Sequence, residues 1–488
     1  MGTGRRLAAA IAVGAVVGIV ARQHRLMATL ARRLSRPFGR LAGGPGARVG
    51  PVVFPDRELI RACVHCGLCL PYCPTYRALG LEADSPRGRI YQMKLVVEGK
   101  IDPAEPDFRL HMYRCLDCRA CETACPSGVQ YGRLLEAARS LIPPAGRRES
   151  LARRVVLARL LDSQPALATV GMLARLYQRT GLRRVLRATG LLRVSPPLQR
   201  LDSLLPQLRG RLAEGSLPEY VPAQGEPRLR VALLRGCVAA QFFPQTNYAT
   251  IAVLAVNCCD VVTPREQGCC GALQNHSGDR ETAKRLARHN IDVFLAIHPD
   301  YIVVNAAGCG SMMKEYGTLL ADDPDYATRA EEFSRRVHDV TELLAALPLR
   351  PPVRRLERRV TYQDACHLGH GQKIREAPRQ VLRAIPGLDL VEMKEADWCC
   401  GSAGIYNVTQ PKLSEEILGW KMQNVAATHP DTVVAANPGC LIQLQHGLRD
   451  RGLAARVAHP VDLLAEAYGF DLSGPEPLGT LGHSALSS

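Results

Sequence analysis

Lysine is scarce in this chain: of its 62 basic residues, 8 are Lys and 54 are Arg. Aromatics are scarce as well, at 5% of 488 residues, with 2 Trp. The formal net charge is +16, yet no basic run is interleaved with aromatic residues. A nucleic-acid footprint needs both, so the arginine excess reads as composition bias and no nucleic-acid partner is expected. A basic surface facing acidic lipid or an acidic partner fits better. No G-x-G-x-x-G opens a strand–helix turn. That removes the flavin and nicotinamide fingerprint, and with it any evident site for hydride chemistry on this chain. Long low-complexity tracts are absent too. With 47% hydrophobic residues, the chain reads as globular and long enough for roughly two to four domains.

Residues 1–55 contain no Asp or Glu. The longest uncharged stretch there, LAAAIAVGAVVGIVA (Leu7 to Ala21), follows Arg5-Arg6. At ~1.5 Å per helical residue it reaches roughly 22 Å, short of the ~30 Å hydrocarbon core. Its flank, RQHRLMATLARRLSRPFGR, is arginine-rich. Three readings stand: a short anchor with its flank on the cytoplasmic side, a cleaved or untranslated extension with Met27 or later as the start, or a targeting peptide. GGPGARVGP at 43–51 reads as a linker.

What the chain does have is thiol: 18 cysteines, bunched in motifs. Bunching in a long chain points to metal rather than to a disulfide framework. CVHCGLCLPYCP (Cys63 to Pro74) and CLDCRACETACP (Cys115 to Pro126) share the spacing C-x2-C-x2-C-x3-C-P. Thiolates three residues apart converge on one iron–sulfur cube, and in the two-cluster pattern the fourth cysteine serves the other cube. The spacing therefore predicts two [4Fe-4S] clusters. One is held by Cys63, Cys66, Cys69 and Cys125, the other by Cys115, Cys118, Cys121 and Cys73. A zinc ribbon would use two CxxC pairs, without a proline after each set. The proline is expected to turn the chain away and stop a helix from continuing. SPRGRIYQMKLVVEGK (85–100) opens on Ser-Pro and places Ile90, Met93 and Val97 at helical spacing, so this first domain is expected to be helical. Arg87, Arg89 and Arg114 either bring positive charge to the clusters or are solvated surface residues. From about 143 to 226 the chain is Leu/Arg-rich. It is expected to form amphipathic helices that pack on their neighbours, a basic membrane-facing helix being the alternative.

The other ten cysteines reveal a duplicated domain. Cys237, Cys269-Cys270-Gly271 and Cys309 recur as Cys366, Cys399-Cys400-Gly401 and Cys440 at nearly equal spacing. RLRVALLRGC and RRVTYQDAC read as strands running into a cysteine. PDYIVVNAAGC and PDTVVAANPGC read as strands ending in Gly-Cys. Alternation with helical stretches predicts parallel sheets covered by helices, with the cysteines at the carboxyl ends of strands, where such sheets bind ligands. Four thiols per unit suffice for one further cluster each. The adjacent pair needs a turn, which Gly271 and Gly401 can supply. Cys258 falls outside the repeat and is expected in the core. His367 and His370, beside Cys366, are either plain loop histidines or hydrogen-bond donors to a cluster or quinone. The expected fold is therefore α+β and multidomain: an extension (1–50), a helical two-cluster ferredoxin domain (51–142), a helical linker region (143–226), two cysteine-rich CCG domains (227–350 and 351–472) and a flexible tail (473–488).

RACVHCGLCLPYCPTY, PRGRIY, RCLDCRACETACPSGVQYG, GCCGA, GCGSMMKEYG and CCGSAGIYN together resemble the iron–sulfur subunit family of bacterial glycolate oxidase (glycolate dehydrogenase), over about residues 55–470. The resemblance implies an electron-transfer subunit, not catalytic alone and with no catalytic residue of its own. It would work beside FAD-containing oxidase subunits that oxidise a 2-hydroxy acid. Electrons would go to a membrane or quinone acceptor, with the chain at the cytoplasmic face of the inner membrane. Related subunits serve lactate utilisation, glycerol-3-phosphate dehydrogenase and heterodisulfide reductase complexes. The wider group's motif ends in CxxC. Here Met312 and Gln443 stand in the last place, which argues against a five-thiolate cluster and against disulfide chemistry.

Overall fold

The computed structural model describes Phe54 and residues 57–152, 155, 160–208 and 217–472. The extension read above as an anchor, leader or cleaved segment lies outside the described residues, as does the tail.

The segment carrying the two cysteine runs is helical. Ser85 caps the helix Pro86–Val97: the Gly88 N–H donates to its Oγ at 3.0 Å, and Pro86 fills a position that needs no donor. Ile90, Met93 and Val96 face the core; Val97, one residue on, is half-buried. The helices Pro106–Arg114 and Tyr131–Leu141 complete this core with Phe108, Met112, Leu134 and Leu135. Pro74 does not end a helix. It opens the helix Pro74–Leu79, where its fixed φ suits the first turn.

The next stretch differs from expectation. The helix Gln164–Arg179 buries only Leu167 and Gly171. Met172, Leu173, Leu176, Val185, Val194 and Leu198 are exposed, so the apolar residues of this region do not all pack on their neighbours.

Two α/β units follow. In the first, β1 (Tyr220–Val221), β2 (Leu229–Leu234), β3 (Cys259–Val262), β4 (Tyr301–Val304) and β5 (Val337–Asp339) lie in the order β1-β3-β2-β4-β5. In the second, β6 (Arg358–Gln363), β7 (Leu388–Leu390), β8 (Thr432–Ala435) and β9 (Arg456–Ala458) lie in the order β7-β6-β8-β9. Apart from β1, which pairs antiparallel with β3, the two sheets are parallel and share one strand order. The duplication in the sequence is thus a duplication of topology. The helix Pro244–Val256 is buried on all sides, as an element packed between two layers must be. It shares a core with β2, β6 and the helix Pro460–Ala467. Thr246 donates to Asp462 Oδ2 across this seam at 3.2 Å. No described helix is long and apolar enough to cross a membrane.

Candidate metal centres

The two cysteine runs have the same backbone as well as the same spacing. In the first, His65 and Gly67 adopt φ +57° and +86°; in the second, Asp117 and Arg119 adopt +54° and +59°. Left-handed residues at these places curl each loop so that amides point inward. The Asp117 N–H donates to Cys115 Sγ at 3.4 Å, and the amides of His65 and Ala120 face Cys63 and Cys118.

The loops line two cavities. One is lined by Cys63, Cys66, Cys69, Cys121 and Cys125. The other is lined by Cys73, Cys115, Cys118 and Cys121. The first thus draws three cysteines from one run and two from the other, the second three and one, with Cys121 lining both. None of the 18 cysteines is in a disulfide. Burial pushes the thiols of Cys118 and Cys121 well up, so proton loss from them needs a strong compensating charge. Sulfur donors, a space between them and inward amides fit an iron–sulfur group.

The α/β units bring their cysteines together as well. Cys237 and Cys269 lie 3.9 Å apart between sulfurs, and Cys270 contacts both Cys269 and Cys309. In the second unit Cys399 contacts Cys366 and Cys400, which contacts Cys440. Hydrogen bonds among the thiols split their acidities. Cys269 is held down by Cys237, and Cys400 by Cys399, while Cys237 is pushed up by Cys269 and Cys440 by Cys400. The adjacent pairs are accommodated by Gly271 and Gly401, at φ +80° and +85°. An added Cβ on Gly401 would lie 2.6 Å from the Ser414 carbonyl oxygen. Cys258 is a buried core residue, as expected.

The arginines are not simple surface residues. Arg89 is fully buried beside Cys73 and Cys115, paired with Asp84 at 3.1 Å. Arg114 joins the same carboxylate at 3.1 Å, and Arg87 lines the first cavity and donates to the His65 carbonyl at 3.2 Å. His370 is buried rather than on a loop, bonded to Thr123 and the Asp397 carbonyl, while His367 Nδ1 lies 3.6 Å from Cys366 Sγ. Sequence reading missed Lys421. It is 2% exposed and donates to the Glu395 and Ala396 carbonyls. Burial lowers it to about 8, against the pull of Cys400 and Cys399. The rarity of lysine was the one signal that could have marked it. Asp117, Glu136 and His276 were missed too. Burial opposes a charge on His276, but its contacts with Asp117 and Glu136 raise it to about 10.

Helical cysteine loops around paired cavities, followed by duplicated cysteine-rich α/β units, define an iron–sulfur protein of electron transport. Comparison with known proteins agrees. Residues 59–129 match the 4Fe-4S dicluster domain, 231–314 and 360–445 the cysteine-rich domain, and 148–205 the linker region of the glycolate oxidase iron-sulfur subunit. A Bacillus subtilis protein named "Probable glycolate oxidase iron-sulfur subunit" is 43% identical over 86% of this chain and 96% of its own. The Escherichia coli "Glycolate oxidase iron-sulfur subunit" is 35% identical over 84% and 94%. "Lactate utilization protein A" of Shouchella clausii is 31% identical over 48% of this chain and 98% of its own. The chain belongs to the glycolate oxidase iron–sulfur subunit family.

Proposed function

We propose that this chain passes electrons singly from the reduced flavin of a separate FAD-containing subunit, where glycolate is oxidised to glyoxylate, to a quinone or other acceptor at the cytoplasmic face of the membrane. The observation that supports the reading is that the eight cysteines of the two runs line two adjoining cavities, each drawing on both runs. In it Cys63, Cys66, Cys69 and Cys125 hold one [4Fe-4S] cluster, and Cys115, Cys118, Cys121 and Cys73 the other. A bound cluster supplies one-electron chemistry, which a flavin's two-electron oxidation of substrate needs in order to reach a one-electron acceptor. The chain's own residues do the rest. Inward amides donate to the sulfurs, Arg87 and Arg89 set positive charge beside them, and burial keeps water from Cys118 and Cys121. Cys237, Cys269, Cys270 and Cys309, and likewise Cys366, Cys399, Cys400 and Cys440, are placed to hold further clusters.

Membrane association rests on the surface between 163 and 201. That stretch exposes Arg179, Arg184, Arg187 and Arg193, Arg187 being paired with Asp202, among exposed Met172, Leu173, Leu176, Val194 and Leu198. Apolar side chains with arginines around them suit an anionic lipid surface.

The test replaces Cys66 or Cys118 by Ser in the complex with its flavin subunit. Glycolate should still bleach the flavin in a single turnover, while steady-state quinone reduction collapses. Full quinone reduction by both variants, or glycolate oxidation by the isolated chain, would end the relay assignment.

A further inference from the structure

Three segments far apart in sequence meet at one buried polar point. Asp117 comes from the second cysteine loop, His276 from the end of the helix Ala272–His276, and His367 from the single π-turn His367–Gly371 that follows Cys366. One ligand atom from each lies within 4.8 Å of the others, and the two imidazole centroids are 5.0 Å apart. Asp117 is 3% exposed. Its Oδ1 makes no hydrogen bond, and its Oδ2 is ion-paired with His276 Nδ1 at 3.2 Å. His276 Nε2 and His367 Nε2 are also buried without a hydrogen bond. Orphaned buried polar atoms are costly, and Asp117, His276 and His367, which meet here, carry three of them.

The surroundings have the form that metal-binding imidazoles require. A ligating histidine commonly gives its other ring N–H to a carboxylate, which fixes the tautomer. Glu136 Oε1 accepts from His276 Nδ1 at 2.7 Å, and Asn275 Nδ2 steadies Glu136 Oε2 at 2.7 Å. Nε2 is then the free nitrogen. Local charge also favours a cation. Asp117, Glu136 and Glu315 surround a single guanidinium, that of Arg119.

We propose that Asp117, His276 and His367 bind one divalent transition-metal ion, zinc or ferrous iron, separate from any iron–sulfur cluster. Two imidazoles and a carboxylate are the donor set that suits these two ions. Each ligand comes from a different part of the chain, so the ion acts as a clasp. It ties the second cysteine loop to both α/β units at the point where Cys118 approaches Cys366.

The experiment measures metals and acid-labile sulfide in the anaerobically purified full chain with its clusters in place. About one equivalent of zinc, or of iron in excess of sulfide, is expected per chain. The two ions are told apart by elemental analysis. His276→Ala should lose that equivalent while sulfide and the cluster EPR stay unchanged, and His367→Ala should lose it at unchanged sulfide content; His276→Gln serves if an alanine variant fails to fold. A merely structural role for these histidines would not move the metal count. Two results overturn the proposal. In one, the wild-type chain holds no such ion and shows no high-spin Co2+ signal after exposure to Co2+, so the point is a hydrated polar junction. In the other, the extra metal persists in the histidine variants or falls only in step with sulfide.

Discussion

Arg89 carries its charge with no access to water. Burial opposes that charge, but the Cys115 and Cys73 thiols, Tyr131 and Asp84 outweigh it and keep the guanidinium protonated. Its Nε donates to the His111 carbonyl at 2.7 Å and its Nη1 to Thr75 Oγ1 at 3.1 Å. Arg89→Met should cost about 3 kcal/mol in anaerobic urea unfolding. This is the low end for a broken buried pair, because Asp84 keeps Arg114 and His111. The same change should lower the midpoint potential of the adjacent cluster, since it removes positive charge beside the thiolates. Arg89→Lys should lose stability yet hold most of the potential. Unchanged stability and potential in Arg89→Met would show that the buried charge serves neither end. Sequence spacing alone singled out the eight cysteines, because ligand spacing within a loop is a local property. It did not reveal that Arg89 is buried, which depends on how three helices pack around it. Nor did it join Asp117 with His276 and His367, whose proximity depends on chain folding over long separations.

At the scale of elements, strands and duplicated units were legible because apolar runs bounded by Gly and Pro are strong local signals. The linker helices were legible as helices but not in their packing. Amphipathic periodicity says that a face is apolar; it does not say what covers it. In the helices Gln164–Arg179 and Leu182–Ala188 and the turn Leu191–Val194, much of that face is exposed. This gives a quantitative expectation for the membrane assignment. Exposed Arg184 and Arg193 should each contribute about 1 kcal/mol at an anionic surface. Replacing both by Gln, together with Leu173→Ser and Leu176→Ser, should reduce cosedimentation of the full chain with anionic phospholipid vesicles by more than about tenfold. Vesicles of zwitterionic lipid should bind weakly from the start. If anionic vesicle binding survives while the flavin subunit no longer copurifies, this surface belongs to that subunit and the lipid assignment fails.

For the molecule as a whole, the decisive contacts are those that fix the cysteine loops against the first α/β unit. Arg139, on the helix Tyr131–Leu141, spans the seam. It donates to the Met112 carbonyl at 2.9 Å, the Cys115 carbonyl at 2.6 Å and the His276 carbonyl at 2.8 Å. Gly278 sits against this helix with φ +88°, and an added Cβ would lie inside contact distance of the Arg139 carbonyl oxygen and 3.0 Å from the Ser140 nitrogen. Gly278→Ala thus combines two penalties, the left-handed backbone and the forced separation of two main chains. Gly452→Ala carries only the first: its φ is +63° and no atom lies within 4 Å of an added Cβ. The left-handed term is about 1–2 kcal/mol, so Gly452→Ala should lose about that much. Gly278→Ala should lose clearly more and should loosen the cysteine-bearing segment as a body. Its iron content should be retained, since no cysteine is touched, but cleavage in the exposed stretch 143–147 should speed up. Electron transfer from the loop clusters onward should slow as well, because the Cys118–Cys366 approach depends on that docking. Equal stability losses and equal cleavage rates in the two variants would mean that the seam yields at no cost, and that the loops do not depend on Gly278 for their position.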